Sequence, residues 1–161
     1  MNGVPGASAE LSNKYRASQA FLKNADEFWH NKKWNILRGE IVWYDFRDRQ
    51  FRPSKITFKP RTMKSFGYTA TMKWAREQTP EEFLFVGSND PICHPEGHWV
   101  AVCNNSYQTV ISRLDEIRGC DVGEGGYDLP YSFRCLGLKV LKVAGGIHVS
   151  LSNIRMWMVV N

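Results

Sequence analysis

The sequence predicts an α+β fold: a single domain, residues 1–161, in which an N-terminal helix packs on a mainly antiparallel β-sheet, with a second helix near residues 106–118. Three observations carry that expectation. Apolar residues recur at steps of three and four over residues 8–30, the spacing of one helix face. The same spacing returns at Tyr107, Val110, Ile111, Leu114 and Ile117. Between and after these stretches lie short runs of β-branched and aromatic residues bounded by turn formers. An order of helix, strands, helix, strands favours an antiparallel sheet with helices against it.

Each element has its own signal. Residues 1–7 read as a tail. The first helix carries Leu11, Tyr15, Ser18, Leu22, Ala25 and Trp29 on one face, with Phe21 and Phe28 widening the stripe. Ser8 suits its N-cap, Glu10 its first turn, and Lys32 and Lys33 its end. Residues 36–46 read as a strand, Asp48-Arg49-Gln50 as a turn, and residues 55–59 as a second strand, the pair forming a hairpin. Pro53 sits ahead of that second strand, where a proline is tolerated.

Residues 69–78 suit a short helix bearing Met72 and Trp74. Thr79-Pro80-Glu81-Glu82 has the form of a capping box. The compact run Phe83-Leu84-Phe85-Val86 that follows favours a buried strand instead. Residues 98–103 read as another strand. Ser106 can cap the second helix and Gly119 can end it. A glycine-rich acidic loop follows over residues 121–128. Gly145-Gly146 signals a hairpin between strands at 132–143 and 147–151, and residues 154–160 alternate as a final strand.

The composition is that of a folded globule, 43% hydrophobic and 23% charged. A chain of 161 residues buries about two-thirds of its unfolded surface, so neither disulfides nor a metal are required to hold a core. No run approaches the roughly 18 apolar residues of a membrane span. The opening residues have no basic, then apolar, pattern of a secretory signal. Cys93, Cys103, Cys120 and Cys135 are irregularly spaced and contain no C-x-x-C. They read as reduced and buried, which implies the cytoplasm or a particle assembled inside a cell.

Charge is unevenly spread. Residues 28–76 hold 12 Lys or Arg against three acids, and 11 of the 21 aromatic residues. Cations among flat rings suit a polyanion with stackable faces. This points to a non-catalytic protein that contacts nucleic acid, or an acidic protein surface, through a basic aromatic hairpin. The candidate contacts are Lys32, Lys33, Arg38, Trp43, Arg47, Arg49, Arg52, Lys55, Lys59 and Arg61. The competing reading takes the rings as core and the cations as a solvated face. Further alternatives are an assembly subunit of a larger, possibly viral, particle, a homo-oligomer, or an inhibitor of a partner protein.

Catalytic signals are sparse. Cys93-His94-Pro95-Glu96-Gly97-His98, with Cys103 beyond, is the densest set of soft donors. Adjacent Cys93 and His94 are badly placed to share one zinc ion. A thiol hydrolase would draw on Cys93 or Cys103 with His94, His98 or His148, yet no family signature surrounds them. His148-Val149-Ser150 is a single copy of a motif that two-histidine phosphoesterases need twice. Gly123-Glu124-Gly125-Gly126 lacks the lysine of a phosphate loop, and its acids match no calcium loop. No catalytic residue, metal or cofactor is expected.

Overall fold

The computed structural model describes residues 3–23, 27–32, 39–61, 77–106, 117–122, 132–145 and 148–159. These form nine strands: β1 (Val4–Ala7), β2 (Trp29–His30), β3 (Glu40–Asp45), β4 (Pro53–Pro60), β5 (Pro80–Ser88), β6 (Val100–Ser106), β7 (Arg118–Asp121), β8 (Cys135–Val143) and β9 (Ser150–Met158). One short helix, α1 (Ala17–Ala20), and a 3-10 turn at Asn13–Tyr15 lie between β1 and β2. The strands make two antiparallel sheets, ordered β1-β3-β8-β5-β6 and β2-β9-β4-β7. Packed face to face they form a β-sandwich, which replaces the expected α+β domain.

The long N-terminal helix fails for a physical reason. Trp29 is fully buried as a strand residue opposite Leu151, whereas Leu11 and Leu22, on the supposed helix face, are exposed. Arg16 takes extended dihedrals and breaks the chain before α1, whose first amide is capped by Glu10 Oε1 at 2.8 Å. Helical spacing of apolar residues is thus present without one continuous apolar face. Residues 4–7 are no tail: they pair with β3 from Val4↔Asp45 to Ala7↔Val42. The second helix, expected near residues 106–118, lies outside the described residues except at its ends, where Ser106 closes β6, Ile117 is exposed and Arg118 begins β7. Residues 69–76 and most of the acidic loop also lie outside it.

Period-2 alternation builds the core. One sheet turns Val42, Phe83, Phe85, Val102, Leu136, Leu138 and Val140 inward. The other supplies Trp29, Ile56, Phe58, Leu151 and Ile154. Phe58 meets Phe83 edge-on across the sheets at 4.9 Å. Each such ring contributes about 1.5–3 kcal/mol through removal from water. The capping-box pattern at Thr79–Glu82 loses to this burial, and Phe83 to Val86 lie in β5 as the apolar run suggests.

A second cluster covers the outer face of the five-stranded sheet: Ile41, Trp43, Val86, Cys93 and Cys135, with Leu84 and Trp99 against them. Its cover is the loop between β5 and β6, whose Trp99 meets Trp43 at 5.9 Å.

The two expected hairpins do not form. β3 and β4 belong to opposite sheets, and so do β8 and β9. Residues 147–151 and 154–160, read as separate strands, contribute to the single strand β9. The cysteines are paired, not reduced. Cys93–Cys135 ties the β5–β6 loop to β8, and Cys103–Cys120 joins β6 of one sheet to β7 of the other. Among the described residues no helix is long and apolar enough to cross a membrane.

Candidate functional site: a polar cluster at one end of the sandwich

Four segments converge where β4 ends and β9 begins. His30 ends β2 and lies opposite Ser150 in β9. Arg61 follows β4, Gln78 precedes β5, and His148 precedes β9. Gln78 Oε1 accepts from Arg61 Nη1 at 3.1 Å and from Ser150 Oγ at 2.9 Å, and the Gln78 carbonyl accepts the Ser150 amide at 3.0 Å. One glutamine therefore holds both the guanidinium and the start of β9. Asn31 locks the other side, its Oδ1 accepting the Val149 amide at 2.8 Å.

The electrostatics are unusual for a buried site. Arg61 is 5% exposed, and no ion pair neutralises it among the described residues. Its guanidinium carbon lies 4.4 Å from the centre of the Phe28 ring, a cation–π contact. Burial lowers its pKa, Tyr15 opposing, though a guanidinium keeps its charge.

His30 is pushed down to about 4, first by burial, against the hydrogen bond to the Asn31 carbonyl, with His148 and Arg61 adding to the fall. Its ring is neutral near pH 7. Nδ1 lies 2.5 Å from the Asn31 carbonyl oxygen, which can only accept, so the proton sits on Nδ1 and Nε2 is left as an acceptor. His148 stands 5.0 Å away, ring to ring, and half-buried Tyr15 rims the group at 5.0 Å from Phe28 and 5.8 Å from His30.

Three buried polar atoms here have no hydrogen-bond partner: Arg61 Nε, Asn31 Nδ2 and His148 Nδ1. Buried polar groups are normally satisfied, so three orphans among the same four segments are exceptions that call for an explanation. The set combines donors, a neutral acceptor and aromatic rings. That suits an uncharged molecule with hydroxyl groups and an apolar face.

The residues singled out from the charge pattern are scattered. Trp43 is buried on the outer face of the five-stranded sheet. Arg47, Arg49 and Arg52 are exposed around the β3–β4 loop. Lys55 and Lys59 lie on the outer face of the four-stranded sheet, and Arg61 is buried at the far end of β4. Lys32 is exposed after β2, while Lys33 and Arg38 lie outside the described residues. Among the described residues these side chains do not gather on one sheet surface, and only Lys55 and Lys59 share a face.

The other candidates fall on geometry. Cys93 and Cys103 are in disulfides and offer no thiolate. Donor atoms of Asp45, Cys93 and Cys135 lie within 4.8 Å of one another, but both sulfurs are bonded together and Asp45 is paired with Arg134, so they make no metal site. His148 was visible in the sequence as a lone motif and Arg61 as a surface cation. Gln78 and Tyr15 carried no signal, because only the tertiary fold brings residues 15, 28–31, 61, 78 and 148 together.

No protein-family model matches the sequence, and curated protein sequences give no match. Solved structures do. A family 32 carbohydrate-binding module of Clostridium perfringens NanJ, in complex with galactose, shares 16% identity over 96% of this chain and 92% of its own, with a TM-score of 0.64. Chitosan-binding module 2 from the chitosanase/glucanase of Paenibacillus sp. IK-5, in complex with chitotriose, shares 11% identity over 98% and 97%, with a TM-score of 0.69. CpGH89CBM32-5 of Clostridium perfringens, in complex with GalNAc-β-1,3-galactose, shares 12% over 97% and 95%, with a TM-score of 0.66. The chain has the β-sandwich fold of these modules.

At such identities the likeness establishes architecture. The nucleic-acid reading and its acidic-surface variant fall because β3 and β4 lie in opposite sheets, so the hairpin that was to carry them is absent, and the fold likeness lends the viral or assembly-particle alternative no support.

Proposed function

We propose that the chain is a non-catalytic carbohydrate-binding module that holds a neutral sugar at the His30–Arg61 end of the sandwich. The observation that carries the reading is the group of orphaned polar atoms, Arg61 Nε, Asn31 Nδ2 and His148 Nδ1, beside the Tyr15 and Phe28 rings. A sugar offers what that group lacks: hydroxyl oxygens for the guanidinium and amide, a hydroxyl proton for His30 Nε2, and a C–H face for Tyr15. The structural neighbours support it, having been solved with galactose, chitotriose and GalNAc-β-1,3-galactose. The two disulfides support an oxidising setting outside the cytoplasm.

A printed glycan array followed by calorimetric titration of galactose and of each array hit tests the reading. The expected result is at least one neutral saccharide bound, with affinity cut about tenfold or more by Tyr15→Ala and by Arg61→Lys, melting curves showing both variants folded at the titration temperature. A blank array, or binding indifferent to both variants, overturns it.

A further inference from the structure

The outer face of the four-stranded sheet carries a groove of about 420 Å³ that the end cluster does not use. Its walls come from two paired strands and from the exposed Ile117 ahead of β7. β4 supplies Lys55, Thr57 and Lys59, alternate residues that share one face. β9 supplies Asn153, Arg155 and Trp157. The register sets Lys55 opposite Trp157 and Thr57 opposite Arg155. Ile56, Phe58 and Ile154 point the other way, into the core. On this face the Trp157 indole is 43% exposed beside the cations.

The face is built, not incidental. Asn153 has φ 51°, a left-handed conformation that asparagine tolerates, and the pairing slips between Thr57 and Lys59 at this point. The bulge turns the Asn153 side chain so that its Oδ1 accepts from Arg155 Nε at 2.9 Å, which fixes one edge of the guanidinium. Among the described residues no carboxylate pairs with Arg155 or Lys59. Lys55 meets Asp121 at 3.1 Å, but both side chains are nearly half exposed, and such a pair is weak enough to exchange for a better anion.

Three cations face one carboxylate in a groove floored by Thr57 and closed at one end by a flat exposed ring. We infer that this groove binds an acidic oligosaccharide, one bearing sulfate or uronate groups, as a second site distinct from the end cluster. Arg155 and the lysines match the anionic groups, Thr57 and Asn153 the hydroxyls between them, and Trp157 the C–H face of one sugar ring. Nucleic acid fits less well, because a base-stacking surface uses successive aromatic platforms and this face has a single ring among the described residues. The site concerns other residues than the neutral-sugar reading, and it stands or falls separately.

The experiment compares four proteins, wild type, Trp157→Ala, Lys59→Gln and Arg155→Gln, in calorimetric titrations at low and moderate salt. The probes are a sulfated heparin oligosaccharide, its fully desulfated counterpart and a single-stranded oligothymidylate of equal charge. Melting temperatures confirm that each variant folds. The expected result is tight binding of the sulfated probe, weaker binding of the desulfated one, which keeps only its uronate charges, and none of the oligothymidylate, with sulfated-probe affinity weakening as salt rises and falling about tenfold in each variant. Neutral-sugar binding at the end cluster should be unchanged by Trp157→Ala, so a failure at one site is told apart from a failure at the other. The inference is overturned if the sulfated oligosaccharide does not bind at low salt. It is equally overturned if the oligothymidylate binds as well as the sugar, or if Trp157→Ala leaves sulfated-sugar affinity intact, since the groove would then be a bare patch of positive charge.

Discussion

Asp45 and Arg134 meet as a fork across the end of the five-stranded sheet, with Nε to Oδ1 at 2.9 Å and Nη2 to Oδ2 at 3.1 Å. The remaining guanidinium nitrogen of Arg134 donates to the Pro91 carbonyl, so the fork also anchors the loop that covers Trp43. Burial alone would raise the Asp45 carboxyl. The hydrogen bonds from Arg134 and from the Arg47 amide outweigh it and hold the carboxyl below its usual value of 3.8. A carboxyl depressed in the folded state stabilises fully above its unfolded pKa and loses that contribution as pH falls through the folded value. Asp45→Asn is therefore expected to lower the melting temperature at pH 7 by a few degrees. The gap from wild type should close as pH falls below the usual value of 3.8, and melts from pH 2 to 7 check both halves.

Gly137 of β8 lies directly opposite Trp43 of β3. A Cβ at Gly137 would stand 2.8 Å from the Val42 carbonyl oxygen and 3.0 Å from Trp43 Cβ. Neither neighbour can yield, since one is strand backbone and the other the root of a buried indole. On the opposite side, a Cβ at Gly6 would touch the same indole at 2.5 Å, so Trp43 lies in a trough between two glycines. Gly137→Ala should cost about 1–3 kcal/mol in urea unfolding. Gly145→Ala, whose nearest neighbour is the flexible Glu77 Cγ at 3.3 Å with Glu77 Cα at an ordinary 3.8 Å, is the control and should cost less.

Much of the strand content was legible and the sheet assignment was not. The runs at residues 36–46, 55–59, 83–86 and 132–143 carry the β-branched and aromatic pattern, and each overlaps a strand. Turn residues between neighbouring runs suggest hairpins, but the same residues serve equally well to carry the chain from one sheet to the other, as Asp48-Arg49-Gln50 does between β3 and β4. Helical spacing misled over residues 8–30 because Tyr15, half-buried in a 3-10 turn, and Trp29, buried in β2, come from separate backbone conformations. The site was hidden for a related reason: Arg61 reads as one more surface cation until Gln78 and Phe28, distant in sequence, are seen to hold it.

Cys103–Cys120 fastens the two edge strands of opposite sheets across only 17 residues of chain. Closing a loop of that size limits the unfolded chain and is worth about 3 kcal/mol. Replacing both cysteines with alanine should lower stability by about that amount and shift the melting temperature by several degrees. Free-thiol titration of the unfolded wild type without reductant should find none. Four reactive thiols there would remove both bonds from the account.

His30 gives the protein an acid limit whose direction is fixed. Its folded pKa of about 4 lies below the usual 6.5, chiefly because the charged ring is costly to bury, with His148 and Arg61 adding repulsion. Between those two values the unfolded chain binds a proton that the folded chain refuses, so stability rises with pH across the window and is lost as pH drops toward 4. His30→Gln should flatten that part of the stability profile. The same ring should keep Nε2 unprotonated, and sugar binding constant, from pH 8 down to about 5, with affinity failing near pH 4 where the acceptor becomes a donor. The check is an NMR titration of the His30 ring beside calorimetry at matched pH. A ring that titrates near 6.5 would mean that the imidazole is solvated, and the neutral acceptor assigned to the end cluster would be lost with it.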